Sequence, residues 1–295
     1  MIKASLPPKV LRWLWVSLVL HLITAHFSVG YYHPDEHFPI LEFLNFKLGL
    51  SPATDLPWEF NARLRPWLQP AAFTGLARIW EFLGLQSHVV WAELFRQLSG
   101  ILAWTSTWAL IVRSRDWIQA DERRWERISF LFCCLWFLPF VHVRTSSESF
   151  SSSFFYLALA ALTSPTLTLR RAWIGGLLLG AAFESRFQSG FLIAGFALWL
   201  LRFGNATWKR VACTSLGFAM VFAIGRLCDR WGYGDWTFTP WNYLHANIFE
   251  NKAAEWGVDP WWGYLYRVGK LLPPLSILAL GICVAFWVKR PKHVL

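Results

Sequence analysis

The chain has 295 residues, of which 55% are hydrophobic and only 16% are charged. Soluble domains average about 25% charged residues, so this composition argues against an ordinary soluble protein. Apolar runs of about 17 to 25 residues, the length that crosses a bilayer, recur along the sequence. We therefore predict one all-α, multi-pass membrane domain over residues 1–295. The net charge of +10 then reflects membrane topology, and we expect no nucleic-acid partner.

Eight apolar runs are predicted to span the membrane. The first follows a basic start and ends without a small-x-small cleavage site, so we expect an uncleaved signal anchor. The stretch 70–85 is short and contains Arg78 and Glu81, which favours an interfacial helix instead of a span. The predicted spans are residues 10–30, 89–112, 128–143, 150–162, 172–183, 187–201, 211–225 and 271–288.

The basic residues orient these spans. With the N-terminus inside, more than half of the 28 Lys and Arg residues fall in short cytoplasmic segments, as the positive-inside tendency requires. Counting 70–85 as a span would put the basic cluster at 113–127 outside. Two large segments, 31–88 and 226–270, then form external loops. The five cysteines are odd in number and mostly lie in apolar runs, which indicates neither a disulfide framework nor a metal site.

The first external loop opens with two adjacent acids, Asp35 and Glu36, after His33 and Pro34. Proline suits the first turn of a helix, and carboxylates are favoured at a helix N-terminus. One interpretation is therefore that the acids cap a helix. The alternative is that a carboxylate at the membrane surface serves as a base that removes a hydroxyl proton.

Glu59 and Arg65 follow in the same loop, beside aromatic residues. An arginine at a membrane surface commonly snorkels or pairs with lipid headgroups. Its alternative use is to hold the phosphate of a lipid-linked donor, because a guanidinium offers paired donors to phosphoryl oxygens.

Charged residues also lie next to later spans. Arg144 and Glu148 belong to a serine-rich turn, which we interpret first as a helix cap with a serine opening the next helix. Glu184 and Arg186 follow the span 172–183 and are predicted to form a weak local ion pair. Within the second span, two residues are spaced to pair towards the helix bundle: Glu93 and Arg96.

The last external segment is rich in tryptophan. Interfacial Trp belts are the simplest explanation. Here, however, the tryptophans alternate with Asn, Asp and Tyr, a mixture that suits a pocket offering flat faces and polar groups to a sugar. The candidate sugar contacts are Asp229, Tyr233, Asn242, Asn247 and Trp261.

Four motifs, in one order along the chain, resemble those of glycosyltransferase family 22, the multi-pass mannosyltransferases of GPI-anchor and N-glycan assembly and their bacterial relatives. The motif residues are His33-Pro34-Asp35-Glu36; Trp58-Glu59-Phe60 with Leu64-Arg65 and Pro70; Arg144-Thr145 with Ser147-Glu148-Ser149; and Asp229, Tyr233-Gly234, Pro240, Asn242-Tyr243, Asn247, Gly257 and Pro260-Trp261.

The resemblance implies a GT-C glycosyltransferase fold, with an active site on the lumenal or periplasmic side. It implies an inverting transfer of mannose from a polyprenyl- or dolichyl-phosphate donor to a glycan or glycolipid, with no nucleotide-sugar donor and no required metal. Asp35 would be the catalytic base, with Glu36 assisting. The remaining implied contacts are His33, Glu59, Arg65, Arg144, Glu148 and Arg186 for the donor, and Asp229, Tyr233, Asn242, Asn247 and Trp261 for the acceptor or sugar.

Two departures from the family limit what this resemblance implies. Glu148 occupies the position where eukaryotic members usually have Asn, and this motif sequence is more like that of bacterial relatives. This favours a bacterial inner membrane, with the endoplasmic reticulum as the alternative, and leaves the acceptor open. The chain also ends soon after its eighth predicted span, whereas the family typically continues. A lipid or solute transporter and a noncatalytic subunit of a glycan-assembly complex therefore stay as alternatives.

Overall fold

The computed structural model describes residues 6–117, 121–204 and 207–271, together with Leu278, Gly281 and Ala285. Across this part of the chain the secondary structure is helical, with no strand, which confirms the all-α prediction. The α-helices are α1 (Pro8–Phe27), α2 (Phe43–Leu48), α3 (Trp58–Asn61), α4 (Leu68–Phe82), α5 (His88–Trp117), α6 (Glu122–Cys134), α7 (Phe137–His142), α8 (Ser147–Leu162), α9 (Leu169–Ser185), α10 (Ser189–Phe203), α11 (Trp208–Tyr233), α12 (Thr239–Leu244) and α13 (Gly263–Leu271). Short 3-10 helices lie at Pro34–Glu36, Ala53–Asp55 and Lys252–Trp256, and π-helical turns at Phe38–Glu42 and His245–Phe249.

The contacts of the chain divide it into two compact units, Met1–Tyr243 and Leu244–Leu295. The first unit contains the helices up to α11, most of α12 and the Asp35–Arg65 cluster described below. The second contains α13 and the helical turns at 245–256. The predicted last span, 271–288, lies almost entirely outside the described residues. A single domain over 1–295 stays a prediction.

Two helices of the described part, α1 and α11, are long and apolar enough to cross a membrane by length and composition. The shorter α10 is also apolar. The predicted spans fall on α1, α5, α8, α9, α10 and α11, with α11 extending beyond the predicted 211–225 at its C-terminal end. The predicted interfacial segment 70–85 forms α4.

The predicted span 128–143 is not one helix. It is divided between α6, which ends at Cys134, and α7, which begins at Phe137. The C-cap residue Leu135 is extended, with ψ of 116°. Pro139 lies in the first turn of α7, where its missing N–H leaves no helical hydrogen bond unmade. The apolar composition of this segment predicted one continuous span and did not reveal the break.

Side-chain caps explain where several helices begin. Asp121, Ser146, Thr168 and Thr207 are the N-cap residues of α6, α8, α9 and α11, and the side chain of each accepts a backbone N–H three residues on. These bonds satisfy donors that a helix start otherwise leaves free. The serine-rich turn after Arg144 is therefore a helix cap, as its first interpretation stated.

Glycines allow α9 and α11 to cross closely. A Cβ on Gly176 would overlap the carbonyl group of Thr214, and a Cβ on Gly217 would lie 2.5 Å from the carbonyl oxygen of Trp173. Small residues at such crossings let two helix backbones approach each other. Because α9 also packs on α8, and α8 on α5, these three helices form one layer.

Candidate active site

The two acids of the first loop lie in different environments on the 3-10 turn Pro34–Glu36. The Glu36 carboxylate accepts the backbone N–H groups of Tyr32 at 3.2 Å and His33 at 3.1 Å, and the His33 ring accepts the N–H of Asp35. This reciprocal capping box turns Glu36 into the protein. The Asp35 side chain keeps 27% of its surface exposed. Of the two acids, Asp35 is the one that faces outward.

Arg144 lies behind Glu36, with 3.7 Å between their charged atoms. The Arg144 guanidinium also lies 4.2 Å from the centre of the Phe140 ring. Burial raises the pKa of Glu36, and Arg144 and the two backbone N–H groups offset part of that rise. The Nε and Nη1 atoms of Arg144 are buried and make no hydrogen bond. The Glu36–Arg144 pair therefore lies on the buried side of the first loop.

Arg65 joins the two halves of the first loop. Its Nη2 atom lies 2.7 Å from the Glu59 carboxylate and 3.4 Å from that of Asp35. Burial alone would lower the pKa of Arg65, but the two carboxylates outweigh that effect and raise it. The Nε atom of Arg65 is buried without a hydrogen-bond partner. Nη2 is thus engaged by two acids, whereas the buried Nε retains an unused donor.

The C-terminal end of α11 fixes the backbone around Arg65. The Tyr233 hydroxyl donates to the carbonyl oxygen of Arg65 at 2.8 Å and lies 3.3 Å from its N–H. Asp229 accepts the N–H of Trp67 at 2.9 Å. The Trp67 ring, which is fully buried, stacks on Phe43 with 4.7 Å between ring centres. Tyr233 and Asp229 therefore turn inward in this structure, towards the segment that carries Arg65.

A buried ion network supports that helix end. Arg226 lies 2.7 Å from both the Glu184 and the Asp229 carboxylates, and Asp229 also accepts the Thr239 hydroxyl. Glu184, Asp229 and Thr239 have no exposed surface. Gly225 makes room for Glu184, because a Cβ there would overlap its carboxylate. This arrangement joins α9 to α11 beside the site.

Two predicted pairings are wrong. Glu184 does not pair with Arg186: the Arg186 backbone is extended after α9 ends, so its side chain leaves the helix face and lies 2.5 Å from Glu148 instead. Glu93 pairs with His26 of α1 at 2.7 Å, and Arg96 donates to the carbonyl oxygen of Ala25. In both cases a neighbouring helix supplies a better partner than the adjacent turn.

Arg65 and Arg186 lie on the wall of one small pocket. Arg186 donates to the Ser147 hydroxyl at 3.0 Å. The free volume is about 20 Å³, enough for roughly one water molecule. A hexose is larger, so sugar binding there requires these side chains to move apart. Five further polar residues of this wall are outside the predicted site: Gln69, Ser147, Ser185, Gln188 and Tyr243.

Two of these five residues could have been identified from the sequence. Ser147 and Tyr243 lie inside the quoted motifs, whereas Gln69, Ser185 and Gln188 carry no motif signal. The amide of Gln69 donates to the carbonyl oxygen of Thr145 at 2.8 Å, and its own oxygen is buried without a hydrogen-bond partner. Gln188 donates to the Tyr243 hydroxyl.

The other predicted acceptor residues lie in two places. Asn242 donates to the carbonyl oxygen of Arg63 at 3.3 Å and lies 3.1 Å from the Thr237 hydroxyl, so it also holds the first loop. Asn247 and Trp261 belong to the second unit, where Trp261 is 86% exposed. Among the described residues no group of three His, Cys, Asp or Glu side chains is placed to hold a metal ion.

The sequence model of the Alg9-like mannosyltransferase family matches residues 12–292. The chain belongs to the Alg9-like mannosyltransferase family. This confirms the family resemblance. The Asp35–Arg65 cluster therefore lies in a chain whose family is named for mannose transfer. No solved structure matches this Alg9-like chain.

Curated relatives of this Alg9-like chain come from several eukaryotes. GPI mannosyltransferase 3 of Gibberella zeae is 24% identical, over 94% of this chain and 50% of the relative. GPI alpha-1,2-mannosyltransferase 3 of Danio rerio is 26% identical over 85% and 46%, and GPI mannosyltransferase 4 of Eremothecium gossypii is 25% identical over 92% and 56%. The chain thus spans about half the length of the curated relatives it matches. They give no support to the bacterial-like membership that Glu148 suggested.

Proposed function

We propose that this chain is a membrane mannosyltransferase that moves mannose from a polyprenyl- or dolichyl-phosphate donor to a glycolipid acceptor, with inversion. The observation that carries the proposal is the position of Arg65, which contacts Asp35 and Glu59 on one edge and lines a pocket with Arg186. A base and phosphate-binding cations therefore meet in one place, in a chain of the Alg9-like family.

In the proposed reaction Asp35 accepts the proton of an acceptor hydroxyl as that oxygen attacks the anomeric carbon. The bond between the anomeric carbon and the phosphate oxygen breaks, and the phosphate leaves with the bonding electrons. A phosphate leaving group needs no acid, so one carboxylate base is sufficient, unlike the two carboxylates of glycosidases. Arg65 and Arg186 would stabilise the departing phosphate charge.

Arg65 retains a donor that its acid partners do not use. Its Nη2 atom contacts Asp35 and Glu59, while Nε is buried and has no hydrogen-bond partner in the described part of the chain. Nε–H lies on the same edge of the guanidinium as Nη2, so a phosphate bound there would lie beside the acids and would require the pocket to open. Inversion needs the attacking and leaving oxygens on opposite faces of the anomeric carbon, so the sugar would lie between Asp35 and the phosphate.

The membrane arrangement is part of the proposal. We infer a GT-C fold with about eight spans and the site on the lumenal or periplasmic side. In support, Asp35, Ser147 and Arg186 all lie at one end of the α5, α8 and α9 layer, and a basic group with Arg113 and Arg171 lies at the other. The eukaryotic relatives favour the endoplasmic reticulum over a bacterial inner membrane, and a GPI-type glycolipid as the first acceptor to test.

The test is transfer by the purified chain in vesicles. Polyprenyl-phosphate-mannose and a GPI-type or other mannosylated glycolipid are supplied, and released polyprenyl phosphate is measured. We expect release that depends on acceptor, and no transfer of mannose to that acceptor when GDP-mannose replaces the lipid donor. Absence of release with every acceptor contradicts the proposal and favours a noncatalytic subunit, whereas unmodified glycolipid crossing the bilayer favours a transporter.

A further inference from the structure

A large cavity lies at the end of the helix layer opposite the candidate active site. Its volume is about 1350 Å³, and its walls come mainly from α5, α8 and α9. Small side chains leave room for the cavity, because Ala109 of α5 and both Ala160 and Ala161 of α8 lie on its surface. Ordinary small-molecule pockets hold about 300–1,000 Å³, so this space suits a larger, chain-like ligand.

One end of this cavity is strongly basic. Arg113, Arg115 and Arg171 line it, and Asp116 is the one carboxylate among its lining residues. The three arginines and one acid leave a formal charge of +2. Because these four residues follow the predicted span 89–112 or precede the predicted span 172–183, the charge lies at the predicted cytoplasmic surface.

The arginines are held in place by neutral groups and, for Arg113, also by the Asp116 carboxylate. Arg113 donates from Nε to the Thr163 hydroxyl at 3.2 Å, and Arg171 donates to the Thr166 hydroxyl at 2.9 Å and to its carbonyl oxygen at 3.1 Å. These bonds fix both guanidinium groups on the turn between α8 and α9. Because Asp116 pairs with Arg113, the formal charge of +2 lies with Arg115 and Arg171. Arg115 lies over the Trp125 ring at 5.2 Å. The positions are therefore organised before any ligand binds.

The apolar wall runs away from this basic end. Ile174 and Leu178 follow Arg171 along one face of α9, and Leu157 lies one turn before the alanines of α8. Seven residues of helix, from Arg171 to Leu178, rise about 10 Å. An amphiphile with an anionic head at the arginines would thus place its hydrocarbon chain along the wall.

We propose that this cavity binds an anionic glycerophospholipid, with its phosphate at the basic end lined by Arg115 and Arg171 and one acyl chain beside Ala160 and Leu178. Basic pockets between membrane helices on the cytoplasmic side bind anionic lipid headgroups in this way. A zwitterionic lipid is disfavoured because its ammonium group would enter a region of charge +2. A free phosphate would leave the apolar wall uncovered. This inference does not depend on the mannosyltransferase proposal.

The test measures lipid retention by the purified full chain. The protein is delipidated in detergent, offered equal amounts of phosphatidylglycerol and phosphatidylcholine, and examined by native mass spectrometry. We expect phosphatidylglycerol to be retained at least tenfold over phosphatidylcholine. Equal retention of both lipids, retention of neither, or retention of free phosphate in place of lipid would overturn the proposal.

Variants separate the head and chain contributions. Arg171→Gln removes a headgroup cation and Ala160→Phe fills the apolar wall without a change of charge, so each should lower phosphatidylglycerol retention at least fivefold. Arg123→Gln is the matched control, an exposed arginine near the same end that does not line the cavity, and it should leave retention unchanged. If Arg171→Gln disturbs the turn it anchors, Arg115→Gln replaces it. Undiminished retention in the headgroup and wall variants contradicts the assignment.

Discussion

The guanidinium of Arg65 lies 3.4 Å from the carboxylate of Asp35, although the two residues come from separate segments of the first loop. The proposed base and the proposed phosphate-binding cation are therefore in direct contact in the absence of substrate. Glu59 holds the same nitrogen at 2.7 Å. Arg65 thus keeps a carboxylate partner when Asp35 turns towards an acceptor hydroxyl.

Arg65→Lys tests whether the forked shape of the guanidinium is needed. A lysine keeps the charge but is a point donor, so it cannot serve the two carboxylates and a phosphate at once. We expect transfer to fall by about 100-fold, or roughly 2.7 kcal/mol in the barrier. The measurement is kcat/KM for the lipid-phosphate donor, with Arg63→Lys as the control, a half-buried arginine of the same loop that pairs with Asp235. A loss of less than threefold would argue against a bidentate role.

Tyr233→Phe separates positioning of the loop from contact with the acceptor. The variant removes the hydroxyl that binds the Arg65 backbone while keeping the ring in its aromatic cluster. We expect kcat/KM for the donor to fall about tenfold, comparable to one hydrogen bond. The KM for the acceptor should stay within twofold of wild type. The opposite pattern, a raised acceptor KM alone, would restore the predicted acceptor role of Tyr233.

Gly232→Ala tests the packing of α11 on the Arg65 segment. A Cβ at Gly232 would overlap the Trp67 indole, which is fully buried and has little room to shift. Overpacking of this kind costs about 1–3 kcal/mol, so the melting temperature in detergent should fall. Gly75→Ala in α4 is the control, because open space surrounds that position and alanine favours a helix by about 0.5–1 kcal/mol. Equal melting temperatures for the two variants would contradict this packing.

Arg144→Gln tests the pair behind the first loop. Without the cation, the buried Glu36 loses a partner, and its pKa should rise further above the ordinary value of 4.5. Because the folded state then holds a proton that the unfolded state releases, the variant should lose stability as pH rises above 4.5 towards neutrality.

The matched experiment for this pair is a double-mutant cycle at neutral pH. Glu36→Gln combined with Arg144→Gln should recover at least about 1 kcal/mol relative to the sum of the single variants. Unfolding is monitored in detergent at pH 4.5 and pH 7. It gives the coupling free energy of the pair at pH 7 and the change with pH in the stability lost by Arg144→Gln. Purely additive effects and a pH-independent deficit would show that the two side chains do not interact.

Local features of this chain are readable from its sequence, and long-range pairings are not. Pro34 and the serines after Arg144 predicted helix starts because capping depends on residues within one turn. The break between α6 and α7 was missed because both halves are equally apolar. The Glu184–Arg226 pair was missed because it depends on how α9 crosses α11, a geometry that glycines such as Gly225 permit without specifying.

The same distinction applies to the candidate site. Asp35 and Arg65 were identified by resemblance to motifs, and their contact follows only from the folded loop. Gln69 and Gln188 had no signal at all, since a lone glutamine in an apolar segment is chemically unremarkable until its neighbours are known. Asp229 and Tyr233 fell within a sugar-binding motif, yet in this structure they bind the backbone at Trp67 and Arg65.

The most direct test is the transfer rate of Asp35→Asn, measured as polyprenyl phosphate released from polyprenyl-phosphate-mannose in the presence of acceptor. Asparagine keeps the size of the side chain but cannot take up the hydroxyl proton. The control is Asp55→Asn, an exposed acid of the same loop. We predict a loss of at least 1,000-fold in Asp35→Asn with an unchanged melting temperature, and wild-type rates in the control. Near-normal transfer by folded Asp35→Asn would contradict the account.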